Sequence, residues 1–289
     1  MAPDILNCAA APAWSRATLR TADFERAKAL IHSIAGISLS ESKIAMVEAR
    51  LAKRLKATGC DDYGTYLDAV AVADSAERTA FVNALTTNLT AFFREPYHFP
   101  PLIEHLRARL ESAQRPLTVW SAGCSTGQEP VSLAIALVEA FGSAPPVRII
   151  ASDIDTDALG FARRGVYPLE KLQGLSETQV RRFFLRGSGA NEGLAIARAE
   201  LRDMIEFRRI NLADPQWGVG EDIAAIFCRN VMIYFSRAAQ QAILRRFATL
   251  LAPDGLLFAG HSENLFYIAS DLFQGEGNTI YRVRRGDPC

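Results

Sequence analysis

At 289 residues, with 49% hydrophobic and 22% charged side chains, the chain has the make-up of an ordinary globular protein long enough for two domains. Its 32 basic residues offset 32 acidic ones, so no global field holds nucleic acid or a membrane surface, and such a role would need a local patch. No apolar run approaches the roughly 18 residues of a membrane span, and Cys8, Cys60, Cys124, Cys228 and Cys289 form neither a C-x-x-C pair nor a disulfide framework, so no metal site is expected.

Residues 1–22 are Ala/Pro-rich and unpatterned and read as a loose leader. They lack the basic start and apolar run of a secretion signal, which points to a soluble, cytoplasmic protein. Apolar residues at Phe24, Ala27, Leu30, Ile31 and Ile34 then predict a helix, with N-cap chemistry offered by Thr21 and Asp23. Ser40 can cap a second helix, in which Ile44, Val47, Leu51 and Leu55 recur on one stripe and Gly59 is the stop. Helices at Tyr63–Val72 and Ala76–Leu85 complete an all-α unit over residues 23–92. Leu102–Leu110 predicts a linker helix within 93–114.

From 115 to 289 the pattern changes. Strands are expected at Leu117–Ser121, Val147–Ala151, Ile223–Cys228 and Gly255–Ala259, with a closing strand at Thr279–Arg284. Helices are expected at Pro130–Phe141, Asp155–Arg164 and Arg237–Leu251. Such alternation predicts an α/β, doubly wound, mostly parallel sheet. The stretch from about 165 to 208 breaks the rhythm, and Leu194–Arg198 and Met204–Arg208 read as short strands of a small β insertion.

Four segments could carry chemistry. In V-W-S-A-G-C-S-T-G-Q-E-P (119–130), Gly123 and Gly127 let the backbone pass close to a ligand at a strand's carboxyl end. The spacing is G-x-x-x-G rather than the dinucleotide pattern, and an ordinary strand-to-helix turn reads equally well. Glu129 could complement the helix dipole or accept a hydrogen bond from a cationic ligand. Asp153 ends the second strand, where acidic residues accept ribose hydroxyls, while Asp155 caps the next helix. N-L-T-A-F-F-R-E (88–95) alternates Asn88, Thr90 and Arg94 with apolar residues at a domain junction, although alone it reads as a helix end. F-C-R-N-V-M-I-Y-F (227–235) delivers Arg229 and Asn230 at a strand end and then Tyr234, whose plainer reading is a buried tyrosine seeking one partner.

These segments, in this order, resemble the chemotaxis-receptor glutamate O-methyltransferase (CheR) family. The likeness continues through R-G-S-G-A-N-E-G (186–193), I-N-L (210–212), L-L-A-P-D-G-L-L-F-A-G-H-S-E-N (250–264) and the final I-Y-R-V, covering about residues 24–284. It implies a small helical N-terminal domain, then a Rossmann-like methyltransferase domain carrying a small antiparallel β subdomain. It also implies S-adenosyl-L-methionine as cofactor, with S-adenosyl-L-homocysteine as product. Carried over by motif, Asn88, Thr90, Arg94, Glu129, Asp153, Asn211, Leu212, Arg229 and Asn230 would line the cofactor pocket, with Asp153 on the ribose and Asn211-Leu212 at the adenine. Arg94 and Tyr234 would be the catalytic pair, Arg94 orienting a carboxylate and Tyr234 shaping the mouth. Gln128 departs from the family's usual Glu. His261 stays open between a satisfied core histidine and a catalytic one.

Partners implied are the cytoplasmic helices of chemotaxis receptors, with no nucleic acid and no membrane insertion, and a monomeric enzyme. Lys43, Arg50, Lys53, Arg54 and Lys56, against Glu48 alone, would complement acidic receptor helices, or form a solvated charged face. Gly187 and Gly189 sit in the loop of a β subdomain that in part of the family grips a receptor C-terminal tether by strand addition. Alternatives are a methyltransferase acting on another protein or a small molecule, and a non-catalytic signalling scaffold. A nicotinamide dehydrogenase fails on the glycine pattern.

Overall fold

A computed structural model describes residues 17–73 and 75–284, so most of the expected leader lies outside the described residues. The chain divides into two compact units between Thr86 and Thr87.

The first unit holds α1 (Thr21–Ala35), α2 (Ile44–Thr58), α3 (Tyr63–Ala71) and α4 (Ala76–Leu85). Its core is drawn from one stripe of each helix: Phe24, Ala27 and Ile31, then Val47, Leu51 and Leu55, then Tyr66 and Val70, then Phe81, Val82 and Leu85. Each fully buried Leu or Phe contributes about 1.5–3 kcal/mol relative to exposure. Gly59 ends α2 in the left-handed region, as expected. The first caps differ from expectation. Arg20 occupies the N-cap position of α1 without capping it through its side chain, and Asp23 is instead buried under the Arg20 guanidinium at 2.7 Å. Ser40 precedes a short 3-10 turn and shares its hydroxyl with Ser42. Asp62 and Ser75 do cap α3 and α4.

The second unit opens with α5 (Phe99–Leu110), β1 (Leu117–Ala122), α6 (Gln128–Phe141), β2 (Val147–Asp153) and α7 (Thr156–Arg164). β3 (Val166–Pro168), α8 (Glu177–Phe183), β4 (Phe184–Arg186), β5 (Leu194–Ala197), α9 (Ala199–Arg202) and β6 (Ile205–Arg209) follow. The chain continues through β7 (Ile223–Cys228), α10 (Arg237–Leu250), β8 (Leu251–Ala259), α11 (Phe266–Ala269), β9 (Phe273–Gly277) and β10 (Ile280–Val283). A seven-stranded sheet runs in the order β6-β2-β1-β7-β8-β10-β9. Its first five strands are parallel and β10 is antiparallel to both neighbours. β1 and β7 are buried at every residue, as strands covered on both faces must be. Val119 and Phe227 pack into the core shared with α5 and α6, while Trp120 and Ile226 pack into the one shared with α10.

The insertion is a separate sheet in the order β3-β5-β4, pairing antiparallel throughout. Its expected extent to residue 208 is corrected. Residues 205–209 form β6, which pairs parallel with β2, Ile149 opposite Ile205, and edges the main sheet. Ile205 is apolar enough to be drawn into the main core, and α9 provides the turn back. At the base of the small sheet, Tyr167 meets Phe92, Phe161 and Phe184 edge-on at 5.0–6.4 Å. Such aromatic pairs stabilise beyond their buried area.

Candidate active site

Because β1, β2, β6 and β7 run parallel, their carboxyl ends share one edge, and the loops leaving them meet there. The β1 loop turns at Gly123 (φ +99) and Gly127 (φ +94). A Cβ at Gly123 would lie 2.4 Å from Val231 Cγ2, and one at Gly127 would lie 2.9 Å from the Tyr167 hydroxyl. Both positions therefore require glycine. Of the seven positive-φ non-glycine residues described, Ser125 and Asn230 fall in these loops, and Phe93 and Glu95 in the segment that precedes α5. Such strain persists where the surroundings over-determine the backbone, as at binding sites.

Asp153, at the end of β2, accepts the Ser125 amide at 2.7 Å and the Asp155 amide at 2.9 Å. Burial still lifts its carboxyl above the usual range. Asp155 caps α7 by accepting the Asp157 and Ala158 amides, and its other oxygen takes the Asn88 amide at 2.7 Å. Asn88 in turn accepts the Ser125 hydroxyl at 3.3 Å. Asn88, Asp153 and the glycine turn are thus one network.

Glu129 lies in the first turn of α6 and accepts the Ser121 hydroxyl at 2.6 Å. Burial raises its carboxyl, with Arg229 opposing. Arg229, at 2% side-chain exposure, places its guanidinium 3.6 Å from Glu129 and 3.3 Å from Glu95, and donates to the Arg94 carbonyl. The Arg229 side chain is therefore enclosed behind the site. Arg94 is half-buried, with one guanidinium nitrogen donating to the Leu89 carbonyl at 3.0 Å. Thr90 is half-buried on the same segment.

Asn211 follows β6 in a local turn, accepting from the Ala213 amide and donating to Asp214. Leu212 is buried beside Trp217. Asn230 and Tyr234 leave β7 through a 3-10 turn, Tyr234 half-buried. Glu263, buried and raised by that burial, accepts the Asn230 amide at 2.7 Å and the Gly260 amide at 2.6 Å, pinning the β7 and β8 loops together.

The geometry thus brings together Asn88, Arg94, Glu129, Asp153, Arg229 and Asn230. The basic positions belong to the helical unit, and the small-sheet loop is not among the residues gathered here. Arg54 is held bidentately by Glu77 at 2.9 and 2.8 Å, and Arg50 donates to the Thr86 carbonyl at 2.5 Å, both inside the helical unit. Lys43, Lys53 and Lys56 are exposed. Gly187 and Gly189 lie in the β4–β5 loop. His261, at 74% side-chain exposure, is no core histidine; its backbone amide donates to Glu95 at 3.1 Å. Sequence reasoning missed Glu95, Ser125 and Glu263, each inside a quoted motif but singled out only by contacts across 28 to 166 residues. Gln128, the departure from the family pattern, is buried and accepts the Thr126 hydroxyl, away from Glu129's partners.

Residues 88–281 match the family described as CheR methyltransferase, SAM binding domain, and residues 22–86 its all-alpha domain. Chemotaxis protein methyltransferase 2 of Pseudomonas aeruginosa is 51% identical over 90% of this chain and 92% of its own. The chemotaxis protein methyltransferases of Salmonella typhimurium and Escherichia coli are 50% and 47% identical, each over 93% of both chains. Buried carboxylates in excess of buried guanidinium suit a cofactor bearing sulfonium and ammonium charge, and an acid at the end of β2 suits a ribose. The chain belongs to the CheR methyltransferase family and is an S-adenosylmethionine-dependent methyltransferase of chemotaxis.

Proposed function

We propose that this chain esterifies glutamate side chains on the cytoplasmic helices of methyl-accepting chemotaxis receptors, acting as a cytoplasmic monomer. The observation that carries the reading is the pairing of buried carboxylates, Glu129 and Asp153, at the sheet's carboxyl edge with likeness to chemotaxis methyltransferases along nine-tenths of the chain. No helix among the described residues is long and apolar enough to cross a membrane.

Bound S-adenosylmethionine supplies an electrophilic methyl group on a cationic sulfur. A glutamate carboxylate, with a reference pKa of about 4.3, is already ionised near neutrality. A bound cofactor would give up its methyl group to a carboxylate oxygen and keep the electron pair of the broken carbon–sulfur bond, so the chain would need to move no proton. Its task is alignment and exclusion of water. In this reading Asp153 holds the ribose, Asn211 and Leu212 flank the adenine, and Asn88, Thr90, Glu129 and Asn230 complete the pocket. Arg94 offers a planar fork for a carboxylate, and Tyr234 shapes the mouth.

For docking, Lys43, Lys53 and Lys56 are exposed and offer charge to an acidic helix; Arg54 is held by Glu77 and Arg50 by the Thr86 carbonyl. β4 is an edge strand, and Leu185 stays half exposed on it, which suits strand addition by a receptor tether around Gly187 and Gly189. The test is incubation with cofactor labelled in the methyl group and receptor cytoplasmic fragments. Base-labile label on glutamates is the expected result. Label only on nitrogen, or on small molecules, would overturn it.

A further inference from the structure

The two connections that leave β7 and β8 carry large apolar side chains in the open. Ile233 is 54% exposed, Phe266 63% and Tyr267 68%. None of them is needed to anchor its own segment. Met232 is buried next to Ile233, and Leu265 and Ala269, one helical turn apart, are buried on either side of Phe266 and Tyr267. The Phe266 and Tyr267 rings meet edge-on at 5.6 Å, outside the core. Apolar surface left in water is unfavourable, and a patch of it marks an interaction site.

The start of α10 holds the two connections side by side. Arg237 donates to the Tyr267 carbonyl and Gln241 to the Ile268 carbonyl at 3.3 Å. Gln240 donates to the Met232 carbonyl at 2.7 Å and the Phe235 carbonyl at 3.2 Å. Glu263 joins the connections again at their base, through the Asn230 and Gly260 amides. The three apolar side chains therefore stand on one bonded frame, and Ile233 is next in the chain to Tyr234. The frame is basic as well. From Ile223 to Leu250 the chain carries four arginines and no acidic residue, and Arg237 among them is exposed.

A glutamate side chain is short, so whatever carries it must lay its backbone against the mouth of the site. On a helix, the residues three and four positions from that glutamate share its face. We propose that Ile233, Phe266 and Tyr267 seat the receptor helix that presents the glutamate: apolar side chains one turn from the glutamate pack on these three residues, and Arg237 lends positive charge to the acidic helix. The seat then selects among glutamates, because one flanked by polar residues at those positions gains nothing from it. The inference rests on the reading of this enzyme as one that esterifies receptor glutamates.

The experiment is methylation rate against concentration of a receptor cytoplasmic fragment, for the full chain and for Phe266→Ser, Tyr267→Ser and Phe266→Leu, with cofactor affinity read by calorimetry. Aromatic anchors of an interface are worth about tenfold or more each. Each serine variant should therefore raise KM about tenfold, with kcat and cofactor affinity within about twofold of wild type. Phe266→Leu, still apolar, should stay near wild type. A fragment with serine at the apolar positions three and four residues from the methylated glutamate should be a poor substrate for wild type, and no poorer for the serine variants, because both changes remove one contact. An unchanged KM overturns the proposal, as do fully additive losses in enzyme and fragment. A fall in kcat or cofactor affinity that matches the rise in KM makes the residues structural and overturns it too. A wild-type dimer that the serine variants convert to monomer, with KM unmoved, gives the seat to a second copy of this chain. Wild-type protein that binds the cofactor but leaves receptor fragments unmethylated would instead overturn the reading of the substrate.

Discussion

The Asn88 amide nitrogen donates to Asp155 Oδ2 at 2.7 Å, while Asp155 Oδ1 caps α7. One carboxylate thereby fixes a helix start and the segment that leads to Arg94. Asn88→Ala removes that bond and the acceptor of the Ser125 hydroxyl, leaving the cap intact. A hydrogen bond contributes about 1 kcal/mol net, so cofactor affinity should fall roughly three- to tenfold. Calorimetry reads the affinity, and thermal unfolding should shift by no more than a few degrees.

Arg94→Ala should lower methyl transfer at least a hundredfold with an unchanged circular dichroism spectrum. Its guanidinium is half-buried and its hydrogen bond among the described residues is a local one, to the Leu89 carbonyl, so the fold does not rest on it. Arg94→Lys, which keeps a charge without the fork, should restore little. Retained turnover in the alanine variant would place the reacting carboxylate elsewhere.

Acidification should destabilise the protein partly through His98. Its folded value near 4 lies below the ordinary 6.5, so the unfolded chain takes up a proton in that window and the folded chain does not. The contribution is complete above pH 6.5 and is lost as pH falls toward 4. Glu129, Asp153 and Glu263 are raised and act in the opposite sense. The comparison is therefore with His98→Gln, an uncharged amide in its place. Its loss of unfolding temperature between pH 7 and pH 5 should be smaller than that of wild type. Equal losses would show that His98 does not drive the acid response.

Within the helical unit, Arg54→Glu and Lys53→Glu should part company. Arg54 grips Glu77, which also accepts the buried Tyr66 hydroxyl at 2.9 Å. Reversal there sets like charges together and should cost about 1–3 kcal/mol in chemical denaturation. Lys53 is exposed, and its reversal should stay within about 0.5 kcal/mol. Weaker methylation of receptor fragments by Lys53→Glu, relieved by added salt, is then a docking effect.

How much was legible in the sequence follows from how far each feature reaches along the chain. The fully apolar runs of β1 and β7 and the Asp155 cap are local, and they stand where expected. β6 was assigned to the insertion because nothing in I-E-F-R-R names its partner; only pairing with β2, more than fifty residues back, decides it. The basic run of α2 looked like one surface because the sequence does not show Glu77 folding back onto Arg54. Arg229 could be placed at a strand end from its motif, but its enclosure by Glu95 and Glu129 is a three-loop property.

The small sheet has two ends with different freedom to change. At its base, Tyr167 sits among Phe92, Phe161 and Phe184, and its hydroxyl lies where any side chain at Gly127 would have to go. A substitution there is felt by the glycine turn. At its tip, residues 188–193 are exposed and Gly189 has open space around it. Three glycines are fixed within it: Gly187, where a Cβ would lie 2.1 Å from the Asn191 carbonyl oxygen, and Gly189 and Gly193, whose φ of +58 and +82 favour glycine. Drift during evolution is therefore channelled toward the tip, and a functional chimera between two relatives should exchange that loop alone, leaving the host's aromatic base in place.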